Sequence, residues 1–461
     1  MVPRYSDITS RFDVDLTTPD GIGTTIPIVV ANMNAVAGKR MAETVARRGG
    51  IVVLPQDAPA DILEKNITYV KAAHTLYETP VTLGPEDTIA KAVDLIHKRS
   101  HKAVIVVDAD NKPIGIFTEK DGEGLDRFTR LHKVMAREVV TLPAGIGTPE
   151  AFAQLDAQRL YMAPVVDSDG KLVGAFTQKG TLRSDLYTPA TDKNGRLRVA
   201  VAIGINGDPS KRALELVKLG VDIIVIDTAH GHQKKMIDAI KAIRAAIGKD
   251  QILVAGNVAS AEATRDLITA GANIVKVGIG PGAMCTTRMM TAVGRPQFSA
   301  VLECATEAKK HNAHVWADGG IRHPRDVALA LAAGASSVMF GSWFAGTYES
   351  AADILQDADG RLYKENYGMA SRRAVRGRNE QGTAYERAKK ELFEEGISAS
   401  RLYLNPQMSG VEDIIDHIVA GLRSSLTYSG ARSIEEFQER AVVGIQTSSG
   451  YSEGLPVASS W

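Results

Sequence analysis

Cysteine is almost missing from the chain, which has only Cys285 and Cys304. Two thiols cannot build a framework of cross-links, so a reducing compartment, the cytoplasm, is expected. Cys304 sits in a helical pattern, residues 299–305, and reads as a small core residue. Net charge is missing too: basic and acidic side chains number 54 each, a formal balance of zero. That balance excludes a protein that gathers nucleic acid or a membrane surface by bulk electrostatics. The start, Met1-Val2-Pro3-Arg4, has none of the long apolar run of a secretion signal. Residues 327–348 carry no charge and match a bilayer in length, yet they are chiefly Ala, Gly and Ser and include Gly334. Helix, turn and strand fit that composition better, and no membrane segment is expected.

At 461 residues the chain has room for two or three domains. It also contains an internal repeat. Residues 81–120 match 140–179 at a constant offset of 59, pairing Asp108 with Asp167, Gly115 with Gly174, Phe117 with Phe176 and Thr118 with Thr177. Each copy runs from a helical segment into a β-rich end, 105–108 or 164–167, and then a second short strand. The pattern resembles a tandem CBS pair, a module that in many proteins binds adenine or guanine nucleotides. A spacer that only packs is the alternative.

Outside the repeat, apolar runs alternate with amphipathic segments. Strands are expected at 26–31, 50–54, 197–203, 222–226, 252–255, 274–277, 314–317 and 337–340, and helices at 209–219, 235–247, 261–270 and 324–333. Eight strands, each leading into a helix, predict an α/β fold, a (β/α)8 TIM barrel with a parallel sheet. The repeat then interrupts it: residues 1–77 and 187–461 form the catalytic barrel, and 78–186 the inserted domain. The break Glu78-Thr79-Pro80 and the turn-rich stretch 188–195 mark the two borders.

In such a barrel, chemistry belongs at the carboxyl ends of the strands. Polar clusters fall there: Asp227-Thr228-Ala229-His230 after the fourth strand, Gly256-Asn257 after the fifth, Asp318-Gly319-Gly320 after the seventh and Gly341-Ser342 after the eighth. The last two turns occupy the usual phosphate position. Most distinctive is the loop after the sixth strand, Gly278-Ile279-Gly280-Pro281-Gly282-Ala283-Met284-Cys285-Thr286-Thr287-Arg288. Its glycines free the backbone to aim carbonyls or amides at an ion or phosphate. It delivers a cysteine flanked by hydroxyls and an arginine, a candidate nucleophile. Taken alone, the motif also reads as a buried cysteine behind a glycine turn.

Together, from about residue 27 to 428, these stretches resemble the IMP dehydrogenase / GMP reductase family, most of all its CBS-containing reductases of actinobacteria. The resemblance implies that Cys285 attacks C2 of a purine nucleotide, giving a thioimidate, while Thr287 and Glu395 relay a proton. Asp318 would hold the ribose, and Gly319, Gly320, Gly341 and Ser342 the 5′-phosphate. Tyr367, Gly368, Met369 and Gly396 would lie along the base. Asp227, Thr228, Ala229, Asn257, Gly278, Ile279 and Gly280 would face a nicotinamide cofactor, expected to be NADPH. Main-chain carbonyls of Gly280, Gly282 and Cys285 resemble the family's monovalent cation site, potassium by analogy. Expected partners are GMP and IMP, with ATP or GTP as regulators at the inserted domain. The resemblance also implies a homotetramer, pairing into a homo-octamer.

Direction is read from the flap. The family's dehydrogenases activate water with an Arg-Tyr pair, where this chain has Ala384-Tyr385, with Arg387 nearby. Asn366-Tyr367-Gly368-Met369-Ala370-Ser371 and Ser424-Ser425-Leu426-Thr427-Tyr428 also resemble the reductase forms. Reductive deamination of GMP to IMP and ammonia is therefore expected. The alternatives are an IMP dehydrogenase in which Arg387 replaces the missing base, and a catalytically weak nucleotide sensor. Ala283 departs from the pattern, standing where a serine is common, and the chain is expected to start short of the family's usual first segment. Lys234 and Lys235 either meet a cofactor 2′-phosphate or begin a solvated helix.

Overall fold

The computed structural model describes residues 1–369, 371, 383, 385, 389, 397 and 399–454. Short runs rich in Val and Ile form a closed parallel barrel of Ile28–Val30, Ile51–Leu54, Ala200–Ile203, Ile223–Asp227, Ile252–Val258, Ile274–Val277, His314–Asp318 and Ser337–Phe340. The strands follow one another around the barrel in chain order, and the eighth closes on the first. All the expected strands form, six of them with ends shifted by one to three residues, and two of these shifts have a visible cause. Leu197 lies outside the third strand and bridges Thr191, closing the turn by which the chain returns to the barrel. The fifth strand runs on to Val258. It can do so because residue 256 is glycine: a Cβ there would stand 2.5 Å from the Lys276 carbonyl oxygen of the neighbouring strand.

Alternation divides each strand between two layers. Val29, Ile51, Ala200, Val225, Val254, Ile274 and Trp316 fill the barrel interior, while Val30, Val201 and Val275 pack outward against helices. The covering helices are capped from the sequence. Asp208 accepts the Lys211 N–H at 3.0 Å ahead of Pro209–Lys218, and Gly271, at φ +124°, ends Ala261–Ala270. Cys304 is buried, and burial pushes its thiol up to about 11, so it is a core residue as expected. Among the described residues, no helix is long and apolar enough to cross a membrane.

The amino-terminal segment stoppers the barrel at the end away from the loops. Ile22 is buried in the interior layer, and beside it Asp20 Oδ2 accepts from Trp316 Nε1 at 3.0 Å, Ser336 Oγ at 2.7 Å and Ser337 Oγ at 3.2 Å. Removing that carboxylate strands the Trp316 indole N–H and the Ser337 hydroxyl, while Ser336 Oγ keeps the Val315 carbonyl at 3.1 Å. Asp20→Ala should cost about 2–4 kcal/mol, the scale of stranded buried polar groups. A thermal-unfolding midpoint unchanged from wild type would contradict this.

Between the second and third barrel strands the repeat builds two three-stranded sheets. The offset of 59 holds residue for residue: Ala103–Val107 recurs as Met162–Val166, and Pro113–Thr118 as Leu172–Thr177. Each copy has its own apolar core, and Ala103, Ile105, Met162 and Ala175 pack the copies together. One of the matched positions at which the copies differ bears on the junction with the barrel. Asp121 Oδ2 accepts the Thr118 N–H at 2.7 Å, but its counterpart is Gly180, and Glu78 Oε2 takes the Thr177 N–H at 3.0 Å instead.

Glu78 thereby joins a buried ionic junction between the repeat and the barrel. Burial alone would raise its carboxyl, but His101, Arg48 and the Thr177 N–H overcome this and hold it at about 2. Arg48, just past the helix Lys39–Arg47, meets Glu412 at 2.6 Å. Arg183 reaches Glu412, Asp413 and Asp416 along the helix Val411–Ser429. Arg99 pairs with Glu43, and its guanidinium donates to the Tyr69 hydroxyl at 2.9 Å.

Candidate active site

The carboxyl ends of the barrel strands open on a cleft of about 650 Å³, within the range of small-molecule sites. On its rim the loop after the sixth strand bends as only glycine permits. Gly278 has φ +151°, and a Cβ there would stand 2.0 Å from the Asp318 carbonyl oxygen. Gly319, at φ +91°, packs against Pro281 and Gly282 so closely that a Cβ would lie 3.0 Å from both. The cysteine loop and the Asp318 turn are therefore one packed unit. Gln297 ties them further, donating to the carbonyls of Val277 at 2.8 Å and Asp318 at 3.1 Å.

Cys285 is exposed to the cleft, and its thiol donates to Thr287 Oγ1 at 3.2 Å. Its N–H donates to the Gly282 carbonyl at 3.0 Å. Arg288 is engaged with loop backbone: Nε donates to the Ile279 carbonyl at 3.2 Å, and its guanidinium also meets the Arg295 carbonyl. Ile397 links the loop to the 367–369 segment, donating its N–H to Met284 O at 3.1 Å and accepting the Gly368 N–H at 2.9 Å.

Deeper in, Lys276 points into the barrel from the sixth strand. Its Nζ lies 2.8 Å from Asp227 Oδ1 and 2.7 Å from Asp318 Oδ2. Burial would lower the ammonium's pKa, but the two carboxylates overcome it and hold Lys276 above its ordinary value, protonated at any working pH. Asn32 Nδ2 donates to Asp227 Oδ2 at 2.9 Å, and Asn257 Nδ2 to Asp318 Oδ2 at 2.9 Å and Gly278 O at 2.7 Å.

The cleft brings together Cys285, Thr287, Asp227, Thr228, Ala229 and Asn257 with Gly278, Ile279, Gly280 and Gly282. Asp318, Gly319, Gly320, Gly341, Ser342, Gly368 and Met369 line it as well, while Tyr367 adjoins the lining. Glu395, Gly396, Ala384 and Arg387 lie outside the described residues. Lys234 sits at a solvated helix start, paired with Asp238, whereas Lys235 donates to Asn206 Oδ1 of the cleft wall at 2.6 Å.

Sequence reasoning missed Lys276, Asn32 and Gln56. The signal for Lys276 was a lone charge inside an otherwise apolar strand, with Ile274 two residues before it facing the barrel interior. Asn32 and Gln56 follow close on the ends of the first and second strands. Among the described residues, Asn257 Oδ1 and Gln56 Oε1 are buried acceptors with no partner. A ligand bearing an amide or hydroxyl donor would satisfy them, which fits a nicotinamide carboxamide or a sugar.

Comparison with known proteins gives a consistent picture. Residues 1–456 match the IMP dehydrogenase / GMP reductase domain. The chain is 57% identical over 461 residues to a GMP reductase of Mycobacterium tuberculosis, covering 100% of this chain and 96% of that one. It is 37% identical to an inosine-5′-monophosphate dehydrogenase of Aquifex aeolicus, covering 98% and 93%. Among solved structures it resembles a variant GMP reductase of Trypanosoma brucei in complex with guanosine 5′-monophosphate, with a TM-score of 0.68, 32% identity and coverage of 100% and 96%.

Proposed function

Since the chain belongs to the IMP dehydrogenase / GMP reductase family, we propose that it works in the reductase direction, converting GMP to IMP and ammonia. The observation that carries this reading is the exposed Cys285 thiol, 3.2 Å from Thr287 Oγ1 in a cleft shared with Asp318 and Asp227. The 57% identity to a GMP reductase, against 37% to a dehydrogenase, supports the same direction.

Cys285 Sγ bonds to C2 of the guanine ring, and Thr287 passes a proton toward the 2-amino group with Glu395 as the acid beyond it. Ammonia leaves, and the purine stays attached to sulfur as a thioimidate. NADPH, held with its nicotinamide toward Asp227 and Asn257, would supply the hydride that C2 receives. The C2–S bond then breaks and Cys285 departs as thiolate. One GMP, one NADPH and two protons give IMP, NADP⁺ and ammonium. Asp318 holds the ribose hydroxyls, and the amides of Gly319, Gly320, Gly341 and Ser342 hold the phosphate. Asn257 faces the nicotinamide carboxamide, and Lys235, hydrogen-bonded to Asn206 of the cleft wall, would meet a 2′-phosphate. The carbonyls of Gly280, Gly282 and Cys285 would hold a monovalent cation such as potassium; hard oxygens suit it, and Gly282 O keeps a lone pair beyond the one given to the Cys285 N–H.

We also assign residues 78–186 to a regulatory CBS pair that takes ATP or GTP, on an assembly of four or eight chains. Its docking through Glu78 on Arg48 and Arg183 on Glu412 gives the pair a physical route to the barrel.

Incubation with GMP and NADPH should consume the nicotinamide absorbance and release one ammonia per nucleotide. Turnover of IMP with NAD⁺, and none of GMP with NADPH, would reverse the assignment to dehydrogenase.

A further inference from the structure

The cleft has two ends, one for the nucleotide and one for the cofactor, and one side chain touches both. Lys276 is the centre of a buried triad: its side chain is only 3% exposed, with Asp227 on one side and Asp318 on the other, each within 2.8 Å. The triad spans strands four, six and seven, and side-chain amides from the loop after the first strand and from the fifth strand fix its carboxylates. Asn32 holds Asp227 Oδ2, and Asn257 shares Asp318 Oδ2 with Lys276. The fifth strand has surrendered its own side chain to admit this group, since a Cβ on Gly256 would lie 2.6 Å from Lys276 Cβ.

A lysine buried this deeply is expensive to place unless its charge is matched. Here two carboxylates match one ammonium, so the triad has a net charge of minus one. Each carboxylate is held by the same Nζ, and a pull on either changes what the ammonium gives to the other. We propose that Lys276 is a positioning residue that couples the two ends of the cleft, presetting Asp318 for the ribose of the nucleotide and Asp227 for the nicotinamide half of the cofactor. The inference rests on the reading of Asp318 and Asp227 given above.

Without Lys276, the two carboxylates face each other across the space it filled and repel, so both turn from the positions that receive ligand. Loss of one side chain therefore weakens two ligands that it need not touch. A residue that merely stabilises the barrel would lower the fraction of competent protein and leave the affinity of the remainder intact.

The test is calorimetric titration of the full-length protein with GMP and, separately, with NADP⁺, neither of which requires turnover. In Lys276→Met both dissociation constants should rise at least about 10-fold with the binding stoichiometry preserved, and Lys276→Arg should recover most of both losses, because it restores the shared cation. Asp318→Asn should weaken NADP⁺ in the wild-type background but add nothing to that loss in Lys276→Met. An effect on one ligand alone, reduced stoichiometry with unchanged affinities, or no recovery with arginine would overturn the coupling role. Should Lys276→Met fail to fold, the arginine and Asp318→Asn titrations still decide it. A wild-type protein that binds neither ligand would instead overturn the functional reading beneath it.

Discussion

Cys285→Ala should abolish GMP turnover, lowering it on the order of 10⁴-fold or more, the scale on which covalent nucleophiles are lost. No other group can take its place: among the described residues the other cysteine, Cys304, is buried in a helix against the barrel wall, its thiol raised to about 11. The substitution should spare the fold, since the sulfur is exposed and, among the described residues, its side-chain hydrogen bond goes to Thr287. GMP affinity should therefore stay within a few-fold of wild type while absorbance-monitored turnover disappears. Mass spectrometry of wild-type enzyme quenched during turnover should show nucleotide on Cys285 and on no other residue. A variant that keeps more than about 1% of the rate would remove the nucleophile assignment.

Gly278→Ala should be nearly as damaging, for a reason that involves no chemistry. The added Cβ would stand 2.0 Å from the Asp318 carbonyl at a φ of +151°. No rotamer can relieve a clash with backbone, so the loop, the Asp318 turn or both must move. Because they are packed together, Cys285 and Asp318 lose their relative placement. A loss in kcat/KM of at least about 100-fold, or roughly 3 kcal/mol of transition-state stabilisation, is expected, together with a lower unfolding midpoint. Gly195→Ala is the control. It too has a positive φ, +74°, but a Cβ there meets nothing within 4 Å. It should cost only about 1 kcal/mol of stability and leave turnover unchanged.

The barrel was legible because parallel strands buried on both faces are apolar throughout, and runs such as Ile223-Ile224-Val225-Ile226 have few other uses. The rim was legible because catalytic loops need glycine where the backbone must turn sharply, and those glycines cluster in short stretches of the chain. Lys276 was not. Its meaning depends on two aspartates from other strands, and only closure of the barrel brings Asp227, Asp318 and Lys276 to one point. Glu78 was hidden in the same way. In the sequence it marked a domain border; in the fold its carboxylate replaces the one that Gly180 lacks.

Ion pairs hold a joint in register better than they hold it shut. The contacts of Arg48, Arg99 and Arg183 with Glu43, Glu78 and Glu412 are dry when the repeat is docked, and water would recover most of their energy on release. A joint held by such pairs costs less to open than an apolar seam of the same extent, because water solvates the freed charges. A solute that binds one arrangement tenfold better shifts the ratio of the two by up to tenfold. Added salt, which solvates freed charges, should loosen the hinge at concentrations that leave the barrel's hydrocarbon core intact.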